Sequence, residues 1–161
     1  MGRVLGVPVA LSPGLFVLAL AAATAGVLGG GPWGRVVLLL ALVGSSLLAH
    51  ELAHAVVARR AGYRVDGITL SLLGGVTAWS GASPSPHVAV RIAAAGPATS
   101  AVLALAFVAA GELTGDLDGV LLIGAAINLL DALVNLLPVP TSDGLAIARA
   151  LRRPRPATTA G

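Results

Sequence analysis

The residues with the strongest claim on chemistry are His50-Glu51-Leu52-Ala53-His54. On an α-helix, positions four apart are offset by about 40° around the axis. His50 and His54 therefore project from one face, one turn apart, and two imidazoles so placed can bind one metal ion. Glu51 projects about 100° away from His50, close enough to reach a water on that ion without ligating it. A metal that acidifies its water, beside a carboxylate that takes the proton, is the chemistry of metal-dependent peptide hydrolysis. In a soluble helix the same five residues would as readily form a solvated polar face. Here residues 36–49 carry no charge, so the helix reads as membrane-embedded. Ionisable groups in that setting are costly and mark functional sites by default.

The composition supports a lipid setting. Of 161 residues, 57% are hydrophobic and only 11% are charged, where globular chains average about a quarter. Mean hydropathy is +0.94. The length allows one domain. With no Cys in the chain, disulfides and thiolate ligands are excluded, and a metal site must use His and carboxylate oxygen. The cations are all Arg and sit near helix ends, without interleaved aromatic residues. No nucleic-acid partner is expected. Heavy use of Ala, Gly, Val and Arg suggests a bacterial source.

The elements that must position the pattern follow from hydropathy and breakers. The expectation is an all-α membrane protein with transmembrane helices at about 13–30, 34–60, 87–112 and 120–137. A small β-hairpin or re-entrant segment lies between the second and third helices. These form a single domain over 1–152, followed by a disordered tail at 153–161. Pro8 and Pro13 keep the first eleven residues from forming one helix. Ala23-Thr24-Ala25 imitates a signal-cleavage site, but Arg3 alone is a weak basic start, and the first helix is read as retained. Gly29-Gly30-Gly31-Pro32 is a tight turn, and Trp33 an interface anchor. Residues 63–72 alternate loosely, Gly74-Gly75 follows, and then Val76-Thr77-Ala78-Trp79, which reads as two short strands around a glycine turn or as a connecting loop. An open strand edge cannot face lipid, and it could pair with an extended substrate. Ala93-Ala94-Ala95-Gly96-Pro97 is a small-residue patch that permits close helix approach, with a kink at the proline. His87, beside prolines, reads as a surface residue. Glu112, Asp116 and Asp118 mark an acidic loop at 111–119.

Asn128, Asp131 and Asn135 recur at helical spacing and share a face that should look into the bundle. Their plain role would be interhelical hydrogen bonding. Pro138 and Pro140 stop that helix. Asp143 then has two readings: the N-cap of a short helix at 144–151, or a third metal ligand that leaves one position for water. Charge sets the topology. Arg3; Arg59, Arg60 and Arg64; and Arg149, Arg152, Arg153 and Arg155 make eight of the ten basic residues, and all fall inside if both termini are cytoplasmic. The second and fourth helices then end on the same side, bringing His50, His54 and Asp143 to one depth.

Taken together, His50-Glu51-Leu52-Ala53-His54 and the run Asn135-Leu136-Leu137-Pro138-Val139-Pro140-Thr141-Ser142-Asp143-Gly144 resemble the paired signatures of the site-2 protease family, the intramembrane zinc metalloproteases related to peptidase family M50. Gly74-Gly75 is similar to that family's glycine-containing hairpin, and Ala95-Gly96-Pro97 to its third-helix motif. Ser142 departs from the pattern, where a Leu usually precedes the Asp. The resemblance covers about 35–150. It implies one zinc ion per chain held by His50, His54 and Asp143. It also implies Glu51 as general base, and Asn135 holding the substrate or polarising its carbonyl. The partners it implies are a bilayer and a transmembrane protein substrate, cut in regulated intramembrane proteolysis, with the enzyme in a bacterial cell membrane. The competing expectations are a non-catalytic metal-binding or transport protein and an inactive protease-like scaffold.

Overall fold

The computed structural model describes residues 2–30, 32–71, 74–115 and 119–153. Asp116 and Asp118 of the expected acidic loop, Gly31 of the turn, and the expected tail beyond Arg153 lie outside these residues. In chain order the elements are β1 (Gly2–Val4), β2 (Val7–Leu11), α1 (Pro13–Leu28), α2 (Trp33–Arg60), β3 (Arg64–Ser71), β4 (Gly74–Ser80), α3 (Pro86–Thr114), α4 (Val120–Leu136) and α5 (Asp143–Arg152). The chain is mostly helical with a small sheet, so the all-α expectation is corrected.

The sheet is larger than a hairpin: four strands in the order β1-β2-β3-β4. β1 and β2 are antiparallel, β2 runs parallel to β3, and β3 and β4 are antiparallel. The β1–β2 turn is Leu5-Gly6, both with positive φ (50° and 76°), the pattern of a tight two-residue hairpin turn. Pro8 hid this strand from the sequence. Yet β2 pairs with β3 only through Val9, Ala10 and Leu11, so the missing N–H of Pro8 falls before that ladder begins. Gly74 and Gly75 are the first residues of β4 rather than the turn between strands. One face of the sheet buries Val7, Val9, Ile68 and Leu70 against Ala55, with Leu47, Leu48 and Leu52 of α2 packed alongside. This contact fixes the sheet to the half of α2 that carries the histidines.

Among the described residues two helices are long and apolar enough to cross a membrane: α2, of 28 residues, and α3, of 29. At 1.5 Å per residue each measures over 40 Å, more than the roughly 30 Å hydrocarbon core. The apolar helices α1 and α4, with 16 and 17 residues, reach about 25 Å. By length and composition two spans, rather than the four expected, meet the requirement among the described residues. α3 continues to Thr114, two residues past the helix end expected at 112, and it passes through Pro97 as one helix. The chain leaves α4 at Leu136 and turns into α5 across Pro138 and Pro140. Gly144 packs so closely on the end of α4 that a Cβ there would overlap the backbone of Leu136 and Leu137. Glycine at this position therefore lets α5 start directly beneath α4.

Candidate metal centre

α2 presents His50, Glu51 and His54, all buried, at 3%, 4% and 7% exposure. Their ligand atoms lie within 4.8 Å of one another. The structure brings Asp143 to the same place. Its Oδ2 is 3.3 Å from Nε2 of His50 and 3.3 Å from Nε2 of His54. Asp143 is free to point there because Ser142, not Asp143, caps α5: the Leu145 N–H donates to Ser142 Oγ at 3.2 Å. Burial works against ionisation of Asp143, but hydrogen bonding to His50 and His54, and their charge, outweigh it and hold its carboxyl below the ordinary value.

The second nitrogen of each imidazole is committed. His54 Nδ1 donates to the backbone carbonyl of Ile92 in α3 at 2.7 Å. His50 Nδ1 lies 3.0 Å from Asp131 Oδ2 and 2.9 Å from Ser100 Oγ. The Ser100 hydroxyl donates to that same Asp131 oxygen at 2.7 Å, so Nδ1 of His50 must be the donor. Both rings are thereby set with Nδ1 protonated and Nε2 turned inward. Nε2 of His50, Nε2 of His54 and Oδ2 of Asp143 converge, and three electron-rich atoms so placed are stable only around a cation, whether proton or metal.

Two glycines make room. A Cβ on Gly96 of α3 would overlap Nε2 of both His50 and His54, and one on Gly75 of β4 would overlap the side chain of Glu51. The small-residue patch of α3 thus serves the histidines. Beside Gly75, Thr77 Oγ1 lies 2.7 Å from Glu51 Oε2 and 3.0 Å from the Glu51 carbonyl oxygen. β4 is one of the two edge strands of the sheet, and Gly75 and Thr77 place it against the Glu51 side chain. A cavity of about 340 Å³, with mostly apolar walls including Leu15, Leu40 and Leu47, reaches Gly74, Asn128 and Asp131 next to the site.

Asn135 does not touch the histidines. Its amide nitrogen binds Asp131, at 3.1 Å to the carbonyl oxygen and 2.9 Å to Oδ1. Asn128 donates to Ser46 Oγ of α2 at 3.0 Å and to the Gly124 carbonyl at 2.8 Å, the interhelical role expected for it. Sequence reasoning missed Ser100 and Thr77 and did not single out Asp131 from its polar face. The signal for Asp131 was its place between Asn128 and Asn135. Ser100 carried none, being one small residue among many on α3.

Residues 38–115 match the family model of peptidase family M50. The chain is 48% identical over 153 residues to Rip3 of Mycobacterium tuberculosis, named as a candidate zinc metalloprotease, a match over 84% of this chain and 37% of that protein. It is 35% identical over 156 residues to a candidate zinc metalloprotease of Synechocystis, covering 89% of this chain and 41% of the relative. The chain therefore spans about two fifths of the length of these curated relatives. Among solved structures it is similar in fold to the site-2 protease from Methanocaldococcus jannaschii, with a TM-score of 0.77, 23% identity, and coverage of 94% of this chain and 69% of that one.

Proposed function

Because residues 38–115 belong to peptidase family M50, we propose that the protein is an intramembrane zinc metalloprotease that hydrolyses peptide bonds within or near transmembrane segments of other proteins. The observation that carries this reading is the convergence of Nε2 of His50, Nε2 of His54 and Oδ2 of Asp143. Ligands about 2.0–2.1 Å from a tetrahedral zinc ion stand about 3.3 Å from one another, which is the separation of Asp143 Oδ2 from each Nε2. The donor set, two neutral imidazoles and one carboxylate, is the type that leaves a position for water. The space kept clear by Gly96 is where a Cβ would collide with both inward nitrogens.

His50, His54 and Asp143 would hold one zinc ion per chain. Zinc bound there supplies a Lewis acid for water and for the substrate carbonyl. Glu51, buried beside the site, takes a proton from the attacking water and returns it to the leaving nitrogen. Thr77 steadies Glu51 through its carboxylate and its carbonyl. The free edge of β4 offers main-chain groups to an extended substrate, and such a substrate must first unwind from its own helix. Glycine and proline in the substrate lower the cost of that unwinding. Asn135 lies on the α4 side of the site and contributes to holding the substrate.

The setting is a bacterial membrane, with α2 and α3 embedded and both termini cytoplasmic. In support, arginines crowd the ends of α2 and α5. Co-expression with candidate single-span membrane proteins tests the reading. Wild type should cleave a substrate that Glu51→Gln leaves intact while keeping its zinc. Equal cleavage by the two proteins would refute the reading, because a transporter or a scaffold does not need this carboxylate.

A further inference from the structure

The Asp131 side chain has three polar partners near the metal centre, and neither the motif nor the proposed chemistry assigns it a task. One oxygen, Oδ2, accepts from His50 Nδ1 at 3.0 Å and from Ser100 Oγ at 2.7 Å. The other, Oδ1, accepts from the Asn135 amide at 2.9 Å, and the Asp131 carbonyl accepts from the same amide nitrogen at 3.1 Å. One residue of α4 therefore joins a candidate ligand on α2, a hydroxyl on α3 and the amide of Asn135.

We propose that Asp131 is a positioning residue: its carboxylate sets the tautomer and ring orientation of His50 for metal binding, and it turns Asn135 so that only the carbonyl oxygen of that amide faces the substrate. The inference rests on the metalloprotease reading above. Its first half follows from the chemistry of imidazole. A carboxylate on Nδ1 fixes the proton there, frees Nε2, and makes Nε2 a better electron donor. His54 has only a backbone carbonyl at the same position. The second half follows from counting donors. Both partners of the Asn135 amide nitrogen are oxygens that can only accept, which fixes the amide orientation and uses both of its hydrogens. What remains is an acceptor. It can hold a substrate N–H, but it cannot donate to a developing oxyanion.

The alternative is that Asp131 merely braces α4 against α3 through Ser100. Metal binding separates the two roles. The purified chain in detergent is stripped with a chelator and titrated with Co²⁺, recording affinity and the visible spectrum of the bound ion. Asp131→Asn, which keeps shape and loses charge, should bind Co²⁺ about 10–100-fold more weakly, with a shifted spectrum. Ser100→Ala should move both readings the same way by a smaller factor, which covers the case in which Asp131→Asn fails to fold. Leu133→Ala, on the exposed side of α4, should match wild type. With a single-span substrate cleaved in the co-expression test, Asn135→Ala should raise KM about tenfold and leave kcat unchanged, the mark of an interaction equal in ground and transition states. Wild-type Co²⁺ affinity and spectrum in both Asp131→Asn and Ser100→Ala would overturn the positioning role alone. A wild type that takes up no Co²⁺ would sink the metalloprotease reading together with it. A fall in kcat of about 10²–10³-fold at constant KM in Asn135→Ala would return that residue to oxyanion stabilisation and overturn the second half.

Discussion

The two halves of α2 have nearly the same apolar composition on paper and opposite surroundings in space. From Trp33 to Ser45 no residue is buried, and Trp33, Val37 and Leu38 are 62%, 60% and 49% exposed. From Ser46 to Ala58 the helix buries Ser46, His50, Glu51, His54, Ala55 and Ala58. The first half shows large apolar side chains to its surroundings, as a lipid-facing helix does. The second half turns small and polar residues into protein, with the sheet on one side and α3 and α5 on others. An ionisable cluster can sit in the path of a membrane helix only because protein, rather than lipid, surrounds it there. Lipid contact is a matter of bulk hydropathy, which many residues satisfy, whereas the site depends on single atoms.

Substitutions along α2 and its neighbours sharpen that contrast. His54→Ala should have the largest effect: bound zinc is lost and cleavage becomes undetectable, read by metal analysis and the co-expression assay. Glu51→Gln should lower the rate about 10²–10⁴-fold with zinc retained. The two clearance glycines divide the site between them. Overpacking strain of about 1–3 kcal/mol predicts that Gly96→Ala weakens zinc binding by about 10–100-fold, since its methyl would overlap both inward nitrogens. Gly75→Ala should keep the zinc and lose rate instead, because its methyl meets Glu51. Thr77→Val should cost about tenfold or less in rate, the scale of one hydrogen bond. Leu38→Ala, in the exposed half, should leave zinc content and rate within about twofold. If Leu38→Ala behaved like Gly96→Ala, the division of α2 into two functional halves would be wrong.

How much could be read in advance follows the same division. His50, Glu51 and His54 are readable because helical spacing alone puts them together. The alignment of Asp143 with them came from counting arginines at helix ends. The β1–β2 hairpin was hidden, because Pro8 reads as a breaker and Leu5 adopts a left-handed conformation that non-glycine residues seldom use. The cap at Ser142 was masked by an Asp beside it that could have served equally well. Asp131 was seen only as part of a polar face. Its partners His50 and Ser100 are 81 and 31 residues away in the chain, and no local pattern encodes a pairing at that distance. The roles of Gly75 and Gly96 were likewise invisible, because what a glycine makes room for is known only when the neighbouring element is in place.

The metal site stands or falls with Asp143 as the partner of the two histidines. The direct measurement is zinc content and affinity of the purified wild type beside Asp143→Ala and Leu38→Ala. One zinc per chain is predicted for wild type and Leu38→Ala, with binding sharply weakened in Asp143→Ala. Zinc bound with the same stoichiometry and affinity in Asp143→Ala would contradict it.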